Sequence, residues 1–198
     1  METGTSSLQT NLFDDLPIVQ PAGLRYQDNF LSPKEEQALI DVIRTLPLSE
    51  MQYKAYTAKR RILSFEGQYD FSDNTLRPSP ACPDFLKPLR ARVADWAHVS
   101  PEQIRQILIA EYQTGTPLGW HRDVPDFEDI IGVSLQGEAV LRFRPYPPMQ
   151  PSKADIIKLT LLPRSIYVLR GPARWAWQHS VAPTRSLRYS ITFRTISP

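Results

Sequence analysis

From residue 104 to the end, apolar and polar positions alternate with a period of two. The runs 104–112 (IRQILIAEY), 119–123, 130–135 (IIGVSL), 139–144 (AVLRFR), 156–162 (IIKLTLL), 165–170 (SIYVLR), 175–181 and 187–196 carry this pattern. They are rich in β-branched and aromatic residues and are separated by Gly, Pro and Asp breaks, the signature of strands. Upstream the period lengthens. Ala38, Leu39, Val42, Ile43 and Leu46 mark one face of a helix. Ser32, Pro33 and Glu35 supply its N-cap, first-turn proline and capping box, and Pro47 ends it. A second helix is predicted from residue 84 to about 96, with Leu86, Leu89, Val93 and Trp96 on one face, Pro88 in its first turn and His98 just past its end. A short extended piece, 24–26, precedes both. About eight strands after two helices predict a mainly β, α+β fold, a double-stranded β-helix (jelly roll) with the N-terminal helices packed on one sheet. The proline-rich stretch 145–153 is a connector, because β structure resumes beyond it.

Residues 50–82 follow neither period. They mix Tyr53, Tyr56, Phe65, Tyr69 and Phe71 with the basic run Lys59, Arg60 and Arg61 and with turn residues Gly67, Asp73 and Asn74. Two readings stand side by side. In one, the segment is a lid whose aromatic rings and cations hold a nucleobase and its phosphates. In the other, it is a pair of edge strands with aromatics in the core and a solvated basic run.

Composition narrows the class. With 198 residues the chain suits a single domain, 1–198, of which 1–15 is a loose polar tail and 104–196 the jelly-roll core. The 19 prolines are about twice the usual ~5% frequency, which favours a turn-rich β protein over a helical bundle. A net charge of +2 permits a nucleic-acid partner without arguing for one. Cys82 is the only cysteine, which excludes an intrachain disulfide and a thiolate-rich zinc site. No apolar run approaches the ~18–20 residues of a membrane span, and 1–15 lacks a basic-then-apolar signal pattern. A cytoplasmic or otherwise intracellular monomer with no membrane partner is the default expectation.

The chemistry centres on Trp120-His121-Arg122-Asp123. In a strand, side chains at i and i+2 share a face, so His121 and Asp123 would present an imidazole and a carboxylate as neighbouring metal ligands. A bare H-x-D is a weak signal. One further histidine would complete a 2-His-1-carboxylate facial triad of the kind that binds non-haem Fe(II). Of the three histidines, His179 is the better candidate and His98 reads as a helix-end residue. The last strand places Arg188, Ser190, Thr192 and Arg194 on one face and Tyr189, Ile191 and Phe193 on the other. Either the polar face is solvated, or it lines a cavity whose guanidiniums pair with a small dicarboxylate. A tight turn at 182–185 would lay the His179 strand beside the Arg188 strand.

The stretch Ile109-Ala110-Glu111-Tyr112 with Gly115, the H-x-D, the distal His179, the terminal R-x-S-x-T-x-R and the Tyr69-Asp70-Phe71-Ser72 segment together resemble the AlkB-like Fe(II)/2-oxoglutarate dioxygenases, over about residues 55–196. The resemblance implies Fe(II) held by His121, Asp123 and His179, with 2-oxoglutarate and O2 as cosubstrates. It implies that Arg188 pairs with the distal carboxylate of 2-oxoglutarate, that Tyr112 hydrogen-bonds nearby, and that Arg194, Ser190 and Thr192 complete the pocket. It further implies oxidative dealkylation of N-alkylated bases in DNA or RNA, releasing succinate, CO2 and an aldehyde, with Phe71, Tyr69, Phe65, Lys59, Arg60 and Arg61 on the substrate side. A duplex substrate would have its base flipped out. Ala110 and Ser190 stand where the family usually has Asn, and Pro125 where repair members often carry an acid. These departures keep open the same chemistry on a protein or small molecule. From other classes come a non-catalytic nucleic-acid-binding barrel and a structural zinc site. The latter is disfavoured because structural zinc is normally four-coordinate.

Overall fold

The computed structural model describes residues 20–53, 56–70, 75–148 and 156–197. Two sheets face each other. The major sheet has seven strands in the order β1 (Leu24–Gln27), β11 (Ile166–Leu169), β8 (Ile130–Leu135), β13 (Arg188–Thr195), β6 (Ile104–Tyr112), β3 (Tyr56–Phe65) and β2 (Ser49–Tyr53). The minor sheet has four, β10 (Ile157–Leu161), β9 (Ala139–Pro145), β12 (Trp177–Val181) and β7 (Leu118–His121). A separate hairpin joins β4 (Gly67–Asp70) to β5 (Thr75–Pro78). The eight strands from residue 104 onward are the expected jelly roll.

Helices α1 (Pro33–Ile43) and α2 (Lys87–Ala97) belong to the core that covers the far side of the major sheet. Ser32 caps α1 through the full capping box: its hydroxyl accepts from the Glu35 N–H while the Glu35 carboxylate accepts from the Ser32 N–H. His98 closes α2 in the left-handed conformation, far from any ligand role. A second core lies between the sheets, from Phe127, Ile130, Leu141, Phe143, Leu161, Leu169 and their neighbours. The major sheet is thus buried on both faces. This explains why β8, IIGVSL, is a nearly continuous apolar run and departs from the alternation expected of it. No helix among the described residues is long and apolar enough to cross a membrane.

Three expectations are corrected. The strand expected over 119–123 stops at His121, so Asp123 stands in the following loop. The stretch expected as strand 175–181 begins with a helical turn, α3 (Pro172–Trp175). Most consequentially, β12 and β13 are not neighbours: β12 pairs with β7 and β9, and β13 with β6 and β8. Residues 182–187 cross from one sheet to the other instead of turning tightly. Thr184 fixes the crossing, its hydroxyl donating to Gln113 O (2.8 Å) and its carbonyl accepting from Gly115 N (2.8 Å). The His179 strand and the Arg188 strand therefore approach the pocket from opposite walls.

Within 50–82, the edge-strand reading holds for the first half. Strands β2 and β3 extend the major sheet, and Phe65 is buried in the helix-side core.

Candidate metal centre and cosubstrate pocket

Cross-strand register builds the site. His179 on β12 lies directly opposite His121 on β7, with ring centroids 4.3 Å apart. Asp123, just beyond the strand end, turns its carboxylate back between them. One ligand atom from each of the three residues falls within 4.8 Å of the other two. The loop that carries Asp123 is held by Arg174 of α3, whose buried guanidinium donates to the carbonyls of Asp123, Val124 and Phe127 (3.2, 2.7 and 3.0 Å).

Hydrogen bonding assigns the donor atoms. His121 Nδ1 lies 2.9 Å from Gly119 O and must carry the proton there, which leaves Nε2 with its lone pair. Arg194 donates Nε to Asp123 Oδ1 (2.8 Å), with Nη2 at 2.7 Å from the same oxygen, and Nη1 to Gln106 (2.8 Å). The other oxygen, Asp123 Oδ2, is buried without a hydrogen-bond partner and sits 3.4 Å from His179 Nε2. These two are not an ion pair. Burial, then the charge of the neighbouring His121, lowers the His179 pKa to about 3, so its ring is neutral at physiological pH. Burial likewise lowers His121. Burial alone would raise Asp123, but the Arg194 guanidinium and the two imidazoles hold it well below the usual carboxylate range. Two neutral imidazoles and one ionised, half-satisfied carboxylate form a set of lone pairs with no proton to share. A divalent cation of intermediate softness suits that set, and three protein ligands leave further coordination positions for small molecules.

On the inner face of the major sheet, strands β8, β13 and β6 place the polar residues in rungs. Ser190 lies between Ser134 and Ala110, Thr192 between Gly132 and Leu108, and Arg194 between Ile130 and Gln106. Arg188 lies opposite Tyr112, only 2% exposed, with its guanidinium 5.1 Å from the Tyr112 ring and its Nε donating to Ser134 Oγ (3.1 Å). No carboxylate among the described residues forms an ion pair with it. Tyr112 receives a hydrogen bond from Arg60 Nη1 (3.3 Å). Burial would raise the Tyr112 phenol, but Arg60 and Arg188 together lower it. Tyr167, on β11, lies across Gly132, where an added Cβ would come within 2.4 Å of its ring. Burial pushes the Tyr167 phenol up to about 12, with Arg188 acting in the opposite sense.

Several predicted roles shift. Arg194 holds the carboxylate of Asp123, a contact with the metal centre that the sequence reading, which gave it to the cosubstrate pocket, did not include. Arg60 and Arg61 point to opposite faces of β3: Arg60 reaches Tyr112, whereas Arg61 forms a bidentate pair with Glu111 (2.8 Å) on the other side. Phe65 is 7% exposed and its substrate role gives way to core packing. Tyr69 lies on the β4–β5 hairpin. Lys59 falls within β3, and Phe71 lies outside the described residues. Asp129 is buried against Arg170 at 2.6 Å.

The site also uses Gln106, Ser134, Tyr167 and Arg174, which sequence reasoning did not select. Ser134 had a signal, as the single polar residue inside an otherwise apolar strand.

A 2-His-1-carboxylate centre between the sheets of a jelly roll, with a buried arginine on the facing wall, defines the non-haem iron oxygenase class of site. The chain belongs to the 2OG-Fe(II) oxygenase superfamily, whose family model matches residues 23–194 and so spans all three ligands and both arginines. Within it the chain is AlkB-like, and Fe(II), 2-oxoglutarate and O2 are the cofactor and cosubstrates. It is 27% identical over 180 residues to the "Alkylated DNA repair protein ALKBH8 homolog" of Arabidopsis thaliana, covering 80% of this chain and 50% of that protein. It is 24% identical over 171 residues to the "tRNA (carboxymethyluridine(34)-5-O)-methyltransferase alkbh8" of Xenopus tropicalis, covering 83% of this chain and 26% of that protein. The chain thus spans half or less of the length of these relatives. The solved structure of OsALKBH1 superposes with a TM-score of 0.63 at 15% identity, covering 89% of this chain and 99% of that one. A Pseudomonas putida prolyl-4-hydroxylase superposes at 0.61 and 14% identity, covering 89% and 94%; both likenesses are of fold.

Proposed function

We propose that this oxygenase hydroxylates N-alkyl groups on nucleobases of DNA or RNA and so dealkylates them. The reading is supported by relatives named for transfer RNA and for alkylated DNA that align over four-fifths of this chain. One equivalent each of O2 and 2-oxoglutarate converts the N-alkyl carbon to an N-hydroxyalkyl group and yields succinate and CO2. The hemiaminal then breaks its C–N bond, releasing an aldehyde and the base N–H.

The bound iron supplies oxygen activation, with 2-oxoglutarate as the two-electron reductant. The chain's residues do the holding. His121, Asp123 and His179 bind the metal, and Arg194 keeps one oxygen of Asp123 occupied so that the other is the ligand. Arg188 pairs with the distal carboxylate of 2-oxoglutarate, with the Tyr112 phenol beside it. The amide contacts absent at Ala110 and Ser190 fall on one rung, since the two are cross-strand neighbours, and Ser134 and Ser190 contribute hydroxyls there. Tyr167 closes the wall over Gly132. An intracellular monomer is part of the same proposal.

The test is to incubate the iron-loaded protein with 2-oxoglutarate and N-alkylated oligonucleotides, and to measure aldehyde and succinate. Equal amounts of the two, lost in His179→Ala, are expected. Uncoupled succinate production without aldehyde from any alkylated oligonucleotide would move the substrate to a protein or small molecule, the class that Pro125 keeps in view.

A further inference from the structure

The outer face of the minor sheet is charged in a way that its own fold does not balance. Leu141, Phe143, Leu159 and Leu161 point into the inter-sheet core, so the alternate residues Arg142, Arg144 and Lys158 lie on the outer face. Lys158 stands directly opposite Arg142 on the neighbouring strand, a like-charge pairing that destabilises a sheet. The four strands, LGWH, AVLRFRP, IKLTL and WQHSV, contain no Asp or Glu. None of these three cations forms an ion pair with a described residue.

The two arginines are also positioned. Each lies flat across β12, donating Nε to a residue there: Arg142 to Ser180 Oγ (3.0 Å) and Arg144 to Gln178 Oε1 (2.8 Å). Their guanidiniums converge on the Trp120 ring of β7, at 5.2 and 4.6 Å from its centroid. Nε is thereby used and the terminal nitrogens are left for a ligand. Trp120 immediately precedes the ligand His121. Exposed Arg122, stacked 3.8 Å over Tyr146, continues the cationic-aromatic surface beside the metal-binding segment.

We propose that this face is the docking surface for the phosphodiester backbone of a single-stranded nucleic acid. The inference rests on the substrate class proposed above and adds where the strand lies. Spaced guanidiniums around an aromatic ring pair phosphates and stack a base, which a merely acidic protein partner would not require.

The experiment is fluorescence anisotropy of an unmodified, labelled single-stranded oligonucleotide, titrated at salt concentrations from about 50 to 200 mM. The triple variant Arg142→Gln, Arg144→Gln, Lys158→Gln is expected to reduce the slope of log K against log salt by about 2, at ~0.7 per phosphate contact on a single strand. Its melting temperature and circular dichroism establish that it folds. A control of equal charge, Lys34→Gln, Arg44→Gln, Lys87→Gln on the helix side, is expected to leave the slope nearly unchanged. Equal loss in both variants overturns the surface in favour of diffuse charge. Wild-type binding by the triple variant, with dealkylation retained, overturns the surface while leaving the substrate class standing. No oligonucleotide binding or dealkylation by the wild type removes both. Anionic phospholipid vesicles bound with the same dependence on the three cations, and more tightly than the oligonucleotide, would reassign the face to a membrane surface.

Discussion

Arg188 and Arg194 stand at opposite ends of β13, on the same inner face, and meet opposite environments. Arg194 is satisfied within the protein: Asp123 takes its Nε and Nη2, and Gln106 takes Nη1. Arg188 is more deeply buried and has one hydrogen bond, to Ser134, with no carboxylate partner among the described residues. A buried guanidinium without a counter-ion costs stability, whereas a paired one completes a network. Arg194 therefore preorganises the metal centre. Arg188 keeps its charge for an anion that arrives with the reaction. One strand carries structure at one end and recognition at the other.

The broadest way to break this division is to remove the centre that both ends serve. His121→Ala or Asp123→Ala should abolish Fe(II) binding and turnover, read by anaerobic metal titration, with the fold kept by circular dichroism. Retained stoichiometric iron binding in either variant would remove these residues from the ligand set. Next comes a crossed comparison. Arg188→Met should weaken 2-oxoglutarate binding by about two orders of magnitude, as loss of a buried charge partner costs ~2–5 kcal/mol. The same substitution should leave the cosubstrate-free protein as stable as wild type or more so in urea. Arg194→Met should do the reverse. Leaving Asp123 buried and unpaired costs ~3–5 kcal/mol of stability, and iron affinity should fall ~10–100-fold through loss of the outer hydrogen bond to a ligand. Similar stability losses in both variants would erase the distinction between the two arginines.

Much of this pattern was legible in the sequence, because alternation on the last strand already put Arg188, Ser190, Thr192 and Arg194 on one face. Alternation cannot say what stands opposite. The contact of Arg194 with Asp123 was not legible, because Asp123 stands in the loop after β7 of the facing sheet and is 71 residues away in the chain. The basic run Lys59, Arg60 and Arg61 reads as one unit along the sequence, although a strand divides neighbours between two faces. Arg60 thereby joins the pocket and Arg61 a pair with Glu111. Arg174 was illegible because its role, binding three carbonyls of the Asp123 loop, depends entirely on backbone it meets 47 to 51 residues away.

The smallest effect sharpens the comparison at the Arg188 end. Tyr112 meets two guanidiniums, its hydroxyl receiving Arg60 Nη1 at 3.3 Å and its ring centre lying 5.1 Å from the Arg188 guanidinium carbon. If Arg188 supplies most of the attraction for the distal carboxylate, Tyr112→Phe deletes one neutral contact, worth ~0.5–1.5 kcal/mol. The 2-oxoglutarate affinity should then fall only ~2–12-fold, with iron affinity unchanged. Both are readable in one titration of the visible band formed by iron and 2-oxoglutarate together. A loss in Tyr112→Phe as large as that in Arg188→Met would mean that the phenol, polarised by its two cations, is the principal anion contact. Arg188 would then act mainly by holding it there.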